Sequence, residues 1–149
     1  MTIMTQEEIK IETDNLIAYC KRLNEETGDG DSPLNLTQSA EIVAELLKRG
    51  YDPNARNAAG MTPLHYAEKY VVARLLIEHG ADVNAQDLLG NTPLHYASSF
   101  SVASALIGAG ASLKIKNNLG ETPDRNIYST KDEDLLSFID FMKRKTITD

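Results

Sequence analysis

The sequence is poorest in the residue types that cross-link, anchor or catalyse. Cys20 is its single cysteine, which excludes an internal disulfide and a thiolate metal cluster. A reducing compartment follows as the expectation, with a cytoplasmic location as the default. The opening Met1-Thr-Ile-Met-Thr-Gln-Glu-Glu lacks a basic segment followed by an apolar run, so no secretory signal is read. A periplasmic or secreted location stays open if the chain is a mature form. No apolar stretch approaches the roughly 20 residues of a membrane span, and no membrane partner is expected. Basic residues are also scarce: 15 Lys and Arg against 22 Asp and Glu leave a formal charge of −7. Phosphate binding is driven by Lys and Arg, so nucleic acid is not the expected partner. The acidic excess agrees with a basic protein partner, and equally with plain solubility. A Gly-rich phosphate cradle, a serine elbow and a convergent acid–base set are all missing. No catalytic residue and no cofactor is assigned.

What the chain does have is a period. Thr62-Pro63-Leu64-His65-Tyr66-Ala67 returns 30 residues later as Thr92-Pro93-Leu94-His95-Tyr96-Ala97. Ser32-Pro33-Leu34-Asn35 lies one period earlier and Thr122-Pro123 one period later. Gly30, Gly60, Gly90 and Gly120 open the units, while Gly50, Gly80 and Gly110 punctuate their second halves. A fixed period of this size predicts a solenoid, because no unit can bury its apolar face without a neighbour.

Within each unit the pattern predicts helix, tight turn, helix and an extended loop. Thr62 suits an N-cap and Pro63 the first helical position, where its missing N–H is no loss. Leu64 and Ala67 are expected to face inward. The second helix carries Val72, Ala73, Leu76 and Ile77 at core spacing and ends at Gly80. Its counterparts are Ile42, Val43, Leu46 and Leu47 before it, and Val102, Ala103, Leu106 and Ile107 after it. The polar run from Ala81 to Asp87 is too short for another helix and predicts a projecting β-turn or hairpin loop.

The ends differ from the middle. A helix over 5–27 is expected to cap the solenoid: Thr5 and Glu8 have capping-box spacing, and Ile9, Leu16, Tyr19, Cys20 and Leu23 share a face. Leu16 and Ile17 stand one period before Leu46 and Leu47, so this helix reads as a degenerate terminal unit. Three repeats follow at 30–59, 60–89 and 90–119. Residues 120–149 form a degenerate C-terminal capping repeat, in which Asp124 and Arg125 replace Leu-His. Thr130 with Glu133 is the expected cap of its last helix, which carries Leu135, Leu136, Phe138, Ile139 and Met142. Lys143, Arg144 and Lys145 suit the negative end of that helix. The whole is read as one all-α domain of 149 residues.

The hexapeptide resembles the Thr-Pro-Leu-His-x-Ala signature of the ankyrin-repeat family. Gly60-Met-Thr-Pro-Leu-His-Tyr-Ala with Leu76-Ile-Glu-His-Gly-Ala-Asp-Val-Asn-Ala85 matches it closely, as does the unit from Gly90 to Ile115. The unit from Ser32 to Ala55 is looser, and the one at Gly120 matches only at its start. The resemblance implies an all-α solenoid of helix-turn-helix units with projecting hairpins. Family units run to about 33 residues, and the missing three fall between Ala67 and Val72. Three residues is close to one helical turn, so shorter helices and a tighter inter-helix turn are expected.

The resemblance also implies roles for residues that invite a chemical reading. His65 and His95 would brace the helix start and adjoining loop, and Asn54 and Asn84 would brace the loops. The histidines lie one repeat apart, roughly 8–10 Å by helix-packing distance. A shared metal needs ligand bonds of about 2 Å, so no metal site is assigned. His79 is expected to face solvent. Asp29-Gly-Asp31 lacks the later ligands of a calcium loop and reads as a linker. Asn35 fits a glycosylation pattern but occupies the His65 slot inside a helix, so it is discounted.

The resemblance implies partner contacts at hairpin tips and on the concave face formed by the first helices. The tips carry Ala58-Ala59, Leu88-Leu89 and Asn118-Leu119, of which the leucine pair is unusual, since exposed apolar patches tend to mark partner sites. One of the two leucines folding onto its neighbouring hairpin is the alternative. Tyr66 and Tyr96 either pack between repeats or line a binding face, and Tyr70 and Phe100 are expected to pack. The contact set is Met61, Glu68, Lys69, Leu88, Leu89, Asn91, Tyr96, Ser98 and Ser99.

A non-catalytic, monomeric protein-interaction module is the resulting reading, its partner another protein. An inhibitor or self-protection protein that blocks a partner enzyme is the alternative. An effector or scaffold, an enzyme or a purely structural assembly unit stand behind it. An enzyme would need a site built from Asp29, Asp31 and Glu133, at opposite ends of the solenoid.

Overall fold

A computed structural model describes residues 3–127 and 131–147, with the side chains of 146 and 147 outside the description. Among the described residues every regular element is helical. Helix α1 spans Gln6–Thr27 and α2 spans Ala40–Lys48, with a 3-10 turn at Pro33–Asn35 between them. A second 3-10 turn at Pro63–Tyr66 precedes α3, Tyr70–Glu78. Then come α4 at Pro93–Tyr96, α5 at Phe100–Gly108, α6 at Pro123–Ile127 and α7 at Glu133–Ile147. No helix among the described residues is long and apolar enough to cross a membrane.

The elements stack in two parallel rows. The long row runs α1, α2, α3, α5, α7, and the short row runs through the two 3-10 turns, α4 and α6. Between the rows the repeat becomes a ladder of buried side chains. Leu34, Leu64 and Leu94 project from the short row, and Leu46, Leu76 and Leu106 meet them from the long row. Val43, Ala73 and Ala103 complete the seam at zero exposure. One period earlier stands Thr13, equally buried, its hydroxyl donating to the Ile9 carbonyl at 2.6 Å. Helix α1 therefore sits in register as a terminal unit, closed by the reciprocal Thr5–Glu8 cap and by Gly28 in the left-handed region at φ 74°.

The shortened period acts on one helix only. All three long-row helices of the repeats, α2, α3 and α5, keep nine residues. The short row is cut to a single turn, and the expected tight inter-helix turn is replaced by an extended link: Ala67 has φ −68°, ψ 118° and Lys69 has φ −115°, ψ 140°. The Thr-Pro start is kept in each case, with proline at the first helical position. Removing about one turn from the shorter helix leaves only its N-terminal turn, because the longer helix carries the apolar stripe that the core needs.

The ends are sealed by polar exchange. Asp124, in the slot of Leu34, Leu64 and Leu94, pairs with Lys143 of α7 at 2.6 Å. Beneath that pair, Ile127, Leu135 and Ile139 are fully buried. Thr130, the expected cap of α7, lies outside the described residues. The helix opens at Glu133, and the Asp132 carboxylate accepts the Leu135 N–H at 2.9 Å. Phe100 packs edge-to-face on Phe138 of α7 at 5.1 Å, but it stays 40% exposed and its counterpart Tyr70 45%, so neither is buried as a packing residue.

Candidate functional site

The loops between units are hairpins, and each is built on an Asn or Asp. Asn57, Asp87 and Asn117 stand one period apart just before the tip. In each, one side-chain oxygen accepts the N–H groups two and four residues on, at 2.9–3.1 Å. The backbone closes the same loop, with Gly60, Gly90 and Gly120 donating to those three carbonyls at 2.9 Å. The hairpins are also tied to one another: Leu88 N–H donates to Ala59 O at 3.0 Å and Asn118 N–H to Leu89 O at 2.9 Å. Asn54 and Asn84 brace the loop bases as expected. Asn54 donates to Gly80 O and accepts from Asp82 N–H, while Asn84 does the same with Gly110 O and Ser112 N–H.

Both histidines of the repeated hexapeptide belong to this frame. Thr62 N–H donates to His65 Nδ1 at 3.0 Å, so Nε2 carries the proton and donates to Asn91 O, also at 3.0 Å. His95 repeats the arrangement with Thr92 and Glu121 O. Burial is the main influence holding the His65 imidazole below its usual pKa of 6.5, and it stays neutral at pH 7. With the folded value depressed, the unfolded chain binds the proton first, so this contribution to stability is complete above pH 6.5. It is expected to be lost as pH falls from 6.5 through the lower folded value. An imidazole NMR titration placing His65 at or above 6.5 would contradict this, as would a urea midpoint that holds steady over that window.

On this rigid frame the tips are apolar and open. Leu88 is 69% exposed, Leu89 64% and Leu119 81%, with Ala58 and Ala59 exposed beside them. Leu88 leans over Gly60, where a Cβ would meet its Cγ at 3.2 Å, yet most of its surface remains in solvent.

Beside the tips, the short row and the extended links frame an open groove of roughly 480 Å³ lined by Met61, His65, Tyr66, Glu68, Tyr96 and Ser98. The tyrosines are fixed by the hairpin bases. Asn57 Nδ2 donates to the Tyr66 hydroxyl at 2.7 Å, and the Tyr96 hydroxyl donates to Asp87 Oδ2 at 2.5 Å. Each ring thus both packs and lines the face, with Tyr96 lying edge-on to His65 at 5.8 Å. Burial raises both phenol groups above their usual pKa, and nearby carboxylates act in the same direction, Asp31, Asp29 and Asp87 on Tyr66 and Asp87 on Tyr96.

Of the residues expected at the contact face, Met61, Glu68, Tyr96 and Ser98 meet in this groove, and Leu88 and Leu89 stand on the adjacent tips. Lys69 is exposed at the start of α3 and lies outside the groove lining. Two others have internal duties. The Ser99 hydroxyl caps α5 by accepting Val102 N–H at 3.4 Å. Asn91 donates to the Tyr96 hydroxyl and accepts from Asn117. Sequence reasoning missed Gln38, whose amide pairs with Tyr66 O at 2.8 Å and with Glu68 N–H at 3.0 Å, fixing the extended link from the neighbouring unit. A polar side chain with no helical face to serve was the available signal. Asp31 is likewise structural: its Oδ1 accepts from both Asn35 and Asn57 at 2.9 Å. Among the described residues no group of three or more His, Cys, Asp or Glu is placed to hold a metal ion.

Stacked units of one short turn and one longer helix, joined by mutually bonded hairpins, define a helical repeat solenoid. The family described as ankyrin repeats (3 copies) matches residues 13–87 and, overlapping, 34–117. The chain belongs to the ankyrin-repeat family, whose members are generally protein–protein interaction modules and typically non-catalytic. A search of curated proteins returns no match.

Proposed function

We propose that this chain is a non-catalytic module that binds another protein through its hairpin tips and the concave face beside them. The observation that carries the reading is the exposed leucine row, Leu88, Leu89 and Leu119, held on hairpins whose backbones are bonded to each other. Exposed apolar side chains on a mobile loop would be a liability; on a pre-ordered edge they lose little entropy on docking and bury apolar area. The contact set adds Met61, Glu68, Lys69, Tyr96 and Ser98 from the groove side, with Asn91 and Ser99 holding their neighbours in place.

Replacing Leu88 and Leu89 together with serine tests it. Because both are more than half exposed, the circular dichroism and melting curve are expected to match the parent within about 0.5 kcal/mol. Capture of a native partner from the source organism is expected to fall by about tenfold or more. Intact capture, or a loss of capture that follows a loss of folded protein, would remove the tips from the contact surface.

A further inference from the structure

The groove beside the tips has a composition that selects its occupant. Tyr66 and Tyr96 line it, Met61 supplies a polarizable apolar surface, and Glu68, also in the lining, is exposed. Behind the rings lie Asp31 and Asp87, the first through the Asn57 amide and the second bonded directly to the Tyr96 hydroxyl. Among the described residues no Lys or Arg lines the groove itself, and the cation that reaches it is Arg56, whose charge acts on His65 at the inner wall. Arg56 is tied to the carbonyl oxygens of Gly60 and Gln86, at 2.9 and 2.8 Å. Lys69 sits close enough to Glu41 to act on its carboxyl. His65, on the inner wall, is neutral.

Resting on the binding-module reading, we propose that this groove takes an arginine side chain presented by the protein partner. A guanidinium is planar and weakly hydrated, so it lies against aromatic faces where an ammonium keeps its water. Its methylene stem fits along Met61, and its charge is met by Glu68 and by the field of the carboxylates behind the tyrosines. The chain's own charge of −7 favours approach of a basic partner in the same sense.

The probe is the blocked tripeptide acetyl-Gly-Arg-Gly-amide, titrated into the full chain and followed by NMR at the tyrosine ring protons. Saturable shifts are expected at Tyr66 and Tyr96. The same peptide with citrulline for arginine, equal in shape but uncharged, is expected to bind about tenfold more weakly. Glu68→Gln, at an exposed position with no folding role, is expected to weaken the arginine peptide by about threefold, and added salt to do the same. Equal binding of the citrulline peptide overturns the proposal, and so do shifts confined to other residues or the absence of saturable shifts. In each of those cases a loss of partner capture in the Leu88/Leu89 variant would still support the binding module, so the two readings fail separately.

Discussion

Replacing Leu94 with alanine is expected to cost roughly 2–5 kcal/mol, a large share of the about 5–15 kcal/mol that holds a typical domain together. Leu94 has no exposed surface and projects from α4 between the Pro63–Tyr66 turn and α6. Truncation removes apolar area from water-free packing on both sides and leaves a cavity. The site cannot collapse easily, because α4 is pinned by the His95 bonds to Thr92 and Glu121. In a solenoid each unit is stable only against its neighbours, so a defect at this position weakens two interfaces at once. Urea denaturation followed by helical circular dichroism reads the effect as a lowered midpoint. Leu88→Ala, at 69% exposure, is the control and is expected to stay within about 0.5 kcal/mol. Equal losses in the two variants would mean that the leucine ladder between the two rows is not the core.

The same comparison shows where the sequence was legible. Leu64 and Leu94 were readable as core because they recur in a motif that also fixes its own start, Thr-Pro, and its own brace, histidine. His65, His95, Asn54 and Asn84 were readable through the resemblance to the ankyrin repeat, which carries their bracing roles, and each bonds 26 or 28 residues ahead into the next unit. The single-turn first helix was not readable. Thr-Pro-Leu-His-Tyr-Ala carries a helix-start signal, and nothing within it says that the chain turns extended at Ala67. In that unit the Gln38 amide reaches across from the previous one to the carbonyl of Tyr66 and the N–H of Glu68, yet the link at Ala97 is equally extended with Glu68 in the corresponding place.

The candidate site divides in the same way. Leu88 and Leu89 stood out because branched apolar residues at a loop apex break the expected pattern, and both are exposed. The groove did not stand out, because its character comes from which partner each hairpin base has. Asn57 donates to Asp31 and to Tyr66; Asn117 donates to Asn91. In the same register, 26 residues before position 87, stands Met61, whose thioether is only a weak acceptor, and at position 87 an Asp replaces Asn and receives the Tyr96 hydroxyl. The one acidic hairpin base thus coincides with the one apolar neighbour in that register. This match between adjacent units gives the groove its negative wall and its fixed tyrosine together.

The hairpin stack makes its own prediction, and the glycines that mark the period test it. Gly90→Ala is expected to destabilise the chain by about 3 kcal/mol or more, through strain at a special backbone angle combined with a clash. Gly90 has φ +78°, where a Cβ costs about 1–2 kcal/mol. A Cβ there would lie 2.6 Å from Asn118 Oδ1, 2.8 Å from Asn118 N and 3.0 Å from Asn117 Cα. Those atoms cannot retreat freely, since Asn118 holds Leu89 O through its N–H and Leu88 O through its amide, both at 2.9 Å. Gly60 has the same backbone angle class, but two of the three close atoms, all of Leu88, belong to its exposed side chain, which can swing away, and the third is its backbone N at 3.0 Å. At Gly120 a Cβ meets nothing within 4 Å, which leaves the backbone angle alone. The expected order of loss is Gly90→Ala, then Gly60→Ala, then Gly120→Ala at about 1 kcal/mol, part of it offset by the stiffer unfolded chain. Faster hydrogen exchange at the Asn118 amide should accompany the first of these. Equal losses at all three positions, with Asn118 still protected, would mean that the hairpins adjust independently and that the tips are not the rigid edge on which the binding proposal rests.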